Sequence, residues 1–148
     1  MYRIERVNGK QPHVAALIDE MHDECFPGYE QHSLSMTGHW WIARDEEDDP
    51  VAFAALWASV RHLDTGYLAR SGVIPEHRGQ GLQARLIRCR ELHARGLGWQ
   101  SMISDTVEGN ITSANNLIKA GYKLWLPPER WATSGSLYWR KVLVKGVG

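Results

Sequence analysis

The sequence carries no excess charge: seventeen Lys and Arg side chains balance seventeen Asp and Glu. A protein that grips nucleic acid through its phosphates draws most of its affinity from a basic surplus. The balance argues against DNA or RNA as the main partner. It leaves room for one local anion site built from backbone amides and a few cations. Cysteine is scarce as well, with two in 148 residues. A secreted domain this small more often carries a disulfide framework, so the scarcity predicts a cytoplasmic protein. Cys25 and Cys89 fall on the apolar stripes of two expected helices, as buried small hydrophobes. No apolar run reaches transmembrane length, and no basic-then-apolar leader follows Met1, so no membrane partner is expected.

What is present fits one globular domain over residues 1–148, with 43% hydrophobic and 23% charged side chains. Seven tryptophans are more than expected. Trp40, Trp41, Trp57, Trp99, Trp125, Trp131 and Trp139 are scattered, which fits packing better than a single stacking platform.

Alternation over Tyr2–Val7 predicts a short strand, broken by Asn8-Gly9. A helix follows from about Gln11, with Val14, Leu17, Ile18, Met21 and Cys25 at helical spacing, and Pro27-Gly28 ends it. A second short helix is placed over Tyr29–Gly38. Strands are expected at His39–Arg44, Val51–Val60 and Tyr67–Ile74. The acidic run Asp45-Glu46-Glu47-Asp48-Asp49-Pro50 has no loop glycine and no recognisable ligand spacing. It is a solvated hairpin turn rather than a metal site, and no metal is expected.

A helix from Gly81 to Arg95 turns Leu82, Leu86, Cys89 and His93 inward and leaves Arg88, Glu91 and Arg95 wet. Trp99–Val107 is a strand, and Asn110 caps a helix through Ala120 that faces Ala114, Leu117 and Ile118 inward. Tyr122–Leu126 and Leu137–Val144 are the last strands. The resulting order, βα(α)βββαβαββ, is α/β with a mixed sheet.

The chemistry concentrates between Val73 and Gln83. A strand stops at Pro75, and Arg78-Gly79-Gln80-Gly81 leads directly into a helix. Helix starts expose unpaired N–H groups and a positive dipole end, which suits phosphate. Glycines permit close approach and unusual dihedrals. A glycine pair alone also fits a simple tight turn. A P-loop would need Lys-Ser/Thr where Leu82-Gln83 stands, and a dinucleotide fingerprint belongs after a first strand with a third glycine.

Val73-Ile74-Pro75-Glu76-His77-Arg78-Gly79-Gln80-Gly81-Leu82 resembles the central motif of the GNAT N-acetyltransferase family: strand, Val-x-Pro, polar residues, then Arg/Gln-x-x-Gly-x-Gly/Ala opening a long helix. Asn110, Ser113 and Gly121-Tyr122 resemble the family's later helix, and Leu137-Tyr138-Trp139-Arg140-Lys141 its terminal strand. The resemblance spans nearly the whole chain. It implies a single domain with a mixed, mostly antiparallel sheet of six to seven strands flanked by helices. It also implies an enzyme that moves acetyl from acetyl-CoA directly to a primary amine of a small molecule or peptide, and by analogy a homodimer.

On that resemblance, the cofactor contacts are Val73, Ile74, Pro75, Arg78, Gly79, Gln80, Gly81, Leu82 and Gln83, joined by Asn110, Asn115, Asn116 and Lys119. Pantetheine would lie in a gap between the strand ending at Val73-Ile74-Pro75 and the strand holding Ser101–Thr106. The Val73 N–H would stabilise the oxyanion. Two positions depart from the family. Gln83 replaces a small residue, and Leu117 stands where many relatives carry a tyrosine that protonates the departing thiolate. Asp105 is the first choice for the base, ahead of Glu108 and Tyr67, and Tyr138 is the substitute acid. Phe26, Tyr29 and Trp131 come from segments that wall the acceptor pocket in the family, and core packing explains them equally. The alternative is a non-catalytic acyl-CoA-binding or interaction module that kept the fold. The acceptor itself is set by loops that fold analogy does not read.

Overall fold

The computed structural model describes residues 1–28 and 37–143. The elements are β1 (Arg3–Val7), α1 (Pro12–Cys25), β2 (His39–Arg44), β3 (Pro50–Ala58), β4 (Thr65–Val73), α2 (Leu82–Gly96), β5 (Ser101–Thr106), α3 (Ile111–Lys119), β6 (Lys123–Leu124) and β7 (Leu137–Val142), with a 3-10 turn at Pro75–His77. The expected order holds. Most of the helix placed over Tyr29–Gly38 lies outside the described residues, as does Val144. The strands form one mixed sheet in the order β1-β2-β3-β4-β5-β7-β6. Parallel pairing joins β4 to β5, while β1–β2, β2–β3, β5–β7 and β6–β7 are antiparallel. No described helix is long and apolar enough to cross a membrane.

The chain contacts separate into two compact units, Met1–Trp57 with Ala69–Leu86, and Ala58–Leu68 with Ile87–Gly148. In the first, Val14, Ile18 and Met21 of α1 pack against Trp40 and Ile42 of β2 and Phe53 and Ala55 of β3. The 3.6-residue spacing of α1 thus meets the pleat of two strands. Every residue from Val51 to Leu56 is buried, so β3 shows an unbroken apolar run rather than alternation. The acidic run forms the β2–β3 turn, with Asp48 at φ 67°. Asp45 Oδ1 accepts the N–H groups of Glu47 at 2.9 Å and Asp49 at 3.0 Å, the usual work of Asp in a tight turn.

In the second unit the ladder pairs Thr65–Tyr67 with Ser101–Ile103, and β5 pairs along its whole length with β7. Here the periodicity misleads. Glu91, expected on the wet face, is 8% exposed, because its carboxylate accepts the Tyr122 O–H at 2.7 Å and the Lys141 ammonium at 2.9 Å. Arg90 beside it is 2% exposed, and Leu92 faces out. Ile118 is exposed too, leaving Leu117 as the buried residue of α3. The strand expected over Tyr122–Leu126 shrinks to two residues. Both cysteines are free and only half-buried.

Gly72 lies where α1 crosses β4. A Cβ there would stand 2.8 Å from Cys25 Sγ and 3.0 Å from Phe53 Cε1. Gly72→Ala is expected to lower stability by about 1–3 kcal/mol, read from the urea midpoint. Adding Cys25→Ala should restore part of it, and no recovery would locate the strain elsewhere.

Burial, reinforced by the Arg70 charge, holds the His22 imidazole below its ordinary pKa against a smaller opposing pull from Asp23. Burial and then Arg6 act the same way on His39. Both rings take up protons more readily in the unfolded chain. Their contribution is complete above the ordinary value near ~6.5 and is lost as pH falls through it. The urea midpoint should therefore drop between about pH 7 and pH 5. A midpoint flat across that window would contradict this assignment.

Candidate functional site

The residues singled out by sequence fall mainly into groups at the end of β4, around Asp105 and on α3. The first is built where β4 ends. Ile74 N–H donates to Val51 O at 2.9 Å, and the 3-10 turn closes with His77 N–H on Ile74 O at 3.0 Å. Arg78 Nε then donates back to Val73 O at 3.0 Å, so the guanidinium lies against the strand end from which the loop departs. Cys25 also hydrogen-bonds Arg78, and burial, only partly offset by that cation, pushes the thiol pKa up.

Gly79 and Gly81 sit at φ 79° and 80°. These are left-handed dihedrals that cost an L side chain roughly 1–2 kcal/mol. A Cβ at either position would touch nothing within 4 Å, so the requirement is on the backbone and not on space. The Gly81 carbonyl accepts the Arg85 N–H at 3.2 Å and begins the α2 ladder. The amides of Leu82, Gln83 and Ala84 then have no carbonyl one turn back, the general condition of a helix start. Leu82 is buried and anchors that start.

Gln83, the bulky departure from the family pattern, is turned aside: Ser71 Oγ donates to its Oε1 at 3.3 Å. Its side chain is thereby held toward β4, and its amide stays with the helix start. Ser71 gave no signal in the sequence, because only the fold places it opposite Gln83. Gln80 is exposed.

The second group gathers around Asp105. It faces Tyr138 in the β5–β7 register. Asp105 Oδ2 accepts the Tyr67 O–H at 2.5 Å and the Trp131 indole N–H at 2.9 Å. Both donors converge on one oxygen, and Oδ1 accepts no hydrogen bond among the described residues. Trp131 packs edge-on against Tyr138 at 4.7 Å and Tyr67 at 6.3 Å. The Tyr138 hydroxyl, 5% exposed as a residue, accepts the Ala132 N–H at 3.0 Å. Two of the three base candidates and the substitute acid are thus assembled. Glu108 is not among them: it is exposed, and its carboxylate approaches Gly135 instead.

Asn110 caps α3, its Oδ1 accepting the Ser113 N–H at 3.2 Å. Asn115 and Lys119 are exposed and Asn116 is half-buried. Leu117 is a packing residue, 5% exposed. Phe26 packs against the core of the first unit, Trp131 belongs to the Asp105 cluster, and Tyr29 lies outside the described residues. A cleft of about 370 Å³ lies in the second unit, lined by Gly121, Lys123, Leu124, Trp125, Arg140, Lys141 and Val142. None of the site residues expected from sequence lines it.

The fold recurs among solved acetyltransferases. An IAA acetyltransferase from Bacillus cereus superposes with a TM-score of 0.76 at 15% identity, covering 97% of this chain and 100% of that one. An acetyltransferase from Bacillus subtilis, solved in complex with CoA, gives 0.73 at 16% identity over 97% and 100%. A GNAT-family acetyltransferase from Staphylococcus aureus gives 0.73 at 12% over 96% and 100%. At these identities the likeness shows the fold alone. No curated protein sequence matches the chain. The family model for GNAT acetyltransferases matches residues 6–122, and the chain accordingly belongs to the acetyltransferase (GNAT) family, as an acyltransferase.

Proposed function

We propose that the chain transfers an acetyl group from acetyl-CoA directly to a primary amine of a small molecule or peptide, as one domain. The observation that carries this reading is the pair of left-handed glycines, Gly79 and Gly81, opening α2. A helix start of this kind, with its amides and positive end, suits the proposed pyrophosphate, and the Gln83 side chain is held by Ser71. The CoA complex of the Bacillus subtilis protein supports the same ligand. Asn110, Asn115, Asn116 and Lys119 are candidate contacts to the rest of CoA.

In the transfer, the amine nitrogen attacks the thioester carbonyl. The N–C bond forms, the C–S bond breaks, the nitrogen sheds one proton to become the amide, and CoA leaves as a thiolate that takes one up, so the step is proton-neutral. The Val73 N–H is the proposed oxyanion donor. An alkyl ammonium has a pKa near ~10, so it must first lose a proton. Asp105, with Oδ2 fixed by two donors and Oδ1 open, is the proposed acceptor of that proton. Leu117 supplies no acid. Thiols have pKa values around ~8.5, so the departing thiolate needs little help, and the Tyr138 O–H is the proposed donor.

Titration calorimetry tests the donor half. Wild-type protein should bind acetyl-CoA saturably, and Gly81→Glu should abolish binding, with circular dichroism confirming the fold. Unchanged affinity would displace the site. For the acceptor half, Asp105→Asn should lower kcat by roughly 10²–10⁴-fold and keep acetyl-CoA affinity. The loss should shrink at alkaline pH, where the amine deprotonates unaided. Tight acetyl-CoA binding without thiol release on any amine would instead identify a non-catalytic module.

A further inference from the structure

The Asp105 cluster holds more than a base requires. Trp131 bridges two opposite charges: its indole N–H is fixed to Asp105 Oδ2, and the Arg61 guanidinium lies over its ring, 5.8 Å from the centroid. Trp125 tilts against Trp131 at 6.1 Å and carries a second guanidinium, that of Arg140, at 6.0 Å. An anion with one open oxygen therefore lies at one side of a continuous aromatic wall, and guanidinium groups lie along the rest of it. Arg61 has one ion-pair partner among the described residues, Glu129 at 3.7 Å, and the two side chains are 43% and 79% exposed. Exposed pairs of this kind contribute little, so Arg61 is readily recruited by a better anion.

From this juxtaposition we infer that the acetyl acceptor is an amino acid bound as its zwitterion, a step that rests on the acetyltransferase reading above. Its ammonium donates to Asp105 Oδ1, the carboxylate oxygen that the Tyr67 and Trp131 donors leave open. Its carboxylate meets the Arg61 fork, whose planar donors suit two oxygens at once. Its apolar body lies along the faces and edges of Trp131, Tyr67 and Trp125. Aromatic rings also favour the cationic end, since a ring face attracts an ammonium. An amine with no carboxylate gains the Asp105 contact alone. A polyamine gains that contact and brings its second cation toward Arg61 and Arg140. Trp131 and Arg61 are thus specificity-determining residues, and Asp105 is the group that touches the reacting nitrogen.

The test is a calorimetric titration of the full chain with each of the twenty amino acids beside its own amide, which keeps the amine and removes the carboxylate. At least one amino acid should bind ten times more tightly than its amide. Arg61→Gln should erase the preference, bringing acid and amide within twofold of each other, and Arg61→Lys should retain part of it. Arg61 is exposed, so both variants should fold, as circular dichroism would verify. Equal or tighter binding of the amides, no binding of any amino acid, or a preference that survives in Arg61→Gln would overturn the inference. Acetyl-CoA titration and thiol release distinguish this failure from that of the underlying reading. If acetyl-CoA binds and simple alkylamines are acetylated as fast as amino acids, the acetyltransferase stands and the zwitterion falls. If acetyl-CoA does not bind, the acetyltransferase reading falls.

Discussion

Strand β4 has to serve two sets of partners with one backbone. Its first three residues, Thr65–Tyr67, enter the parallel ladder with Ser101–Ile103, and its end is fixed by Ile74 N–H on Val51 O of β3. Thr65–Tyr67 belong to the second unit and Ala69–Val73 to the first, and each of these hydrogen-bonded contacts stays within its own unit. Its side chains divide in the same way. Tyr67 holds Asp105, Ser71 holds Gln83, and the Val73 carbonyl holds Arg78. Asp105, Gln83 and Arg78 are thus each held in part by a residue of this strand.

The second unit is knit by a carboxylate taken out of water. Glu91 receives a phenol from Tyr122 and an ammonium from Lys141, and Lys141 also donates to Ala120 O at 2.7 Å. One acid thereby joins α2, the end of α3 and β7. Burying a charge is tolerable only with such partners, and losing one of them strands the rest. The same low-dielectric surroundings act on Arg90: burial lowers its pKa to about 10, against the raising influence of Tyr122, Glu91 and Cys89. It remains a cation at neutral pH. Burial foremost, and the Glu91 charge next, drive the Tyr122 phenol far above its usual range, so it keeps the proton that it donates to Glu91.

The sequence revealed what is encoded within a few neighbouring residues. The Asn110 cap needs only Ser113, three positions on, and the glycine pair needs only the helix that follows it. Both were legible for that reason. Glu91 departs from the expected wet face because helical spacing reports which face a residue shares and not what covers that face. Its partners arrive from 31 and 50 positions away. Ile118 shows the converse, an apolar residue on a short helix whose buried stripe has room for Leu117 alone. The members of the Asp105 cluster, Tyr67, Trp131 and Tyr138 included, are each visible in the sequence, but their convergence is not. The indole that fixes the acid comes from a loop after Pro127-Pro128 with no periodicity to read, and no local pattern tells that it meets a strand 26 positions away.

The empty space around Gly79 and Gly81 separates two reasons for a glycine that are usually entangled. At Gly72 the objection to a side chain is volume, since an L-residue's Cβ would stand 2.8 Å from Cys25 Sγ. At the loop the objection is handedness. The backbone at φ near +80° is the ordinary basin of a D-residue, whereas an L-residue's Cβ would find space there but a strained backbone. A D-alanine placed there by chemical synthesis would stiffen the loop in its working shape, whereas L-alanine would oppose it. The shape of the loop is in that sense specified by chirality rather than by size.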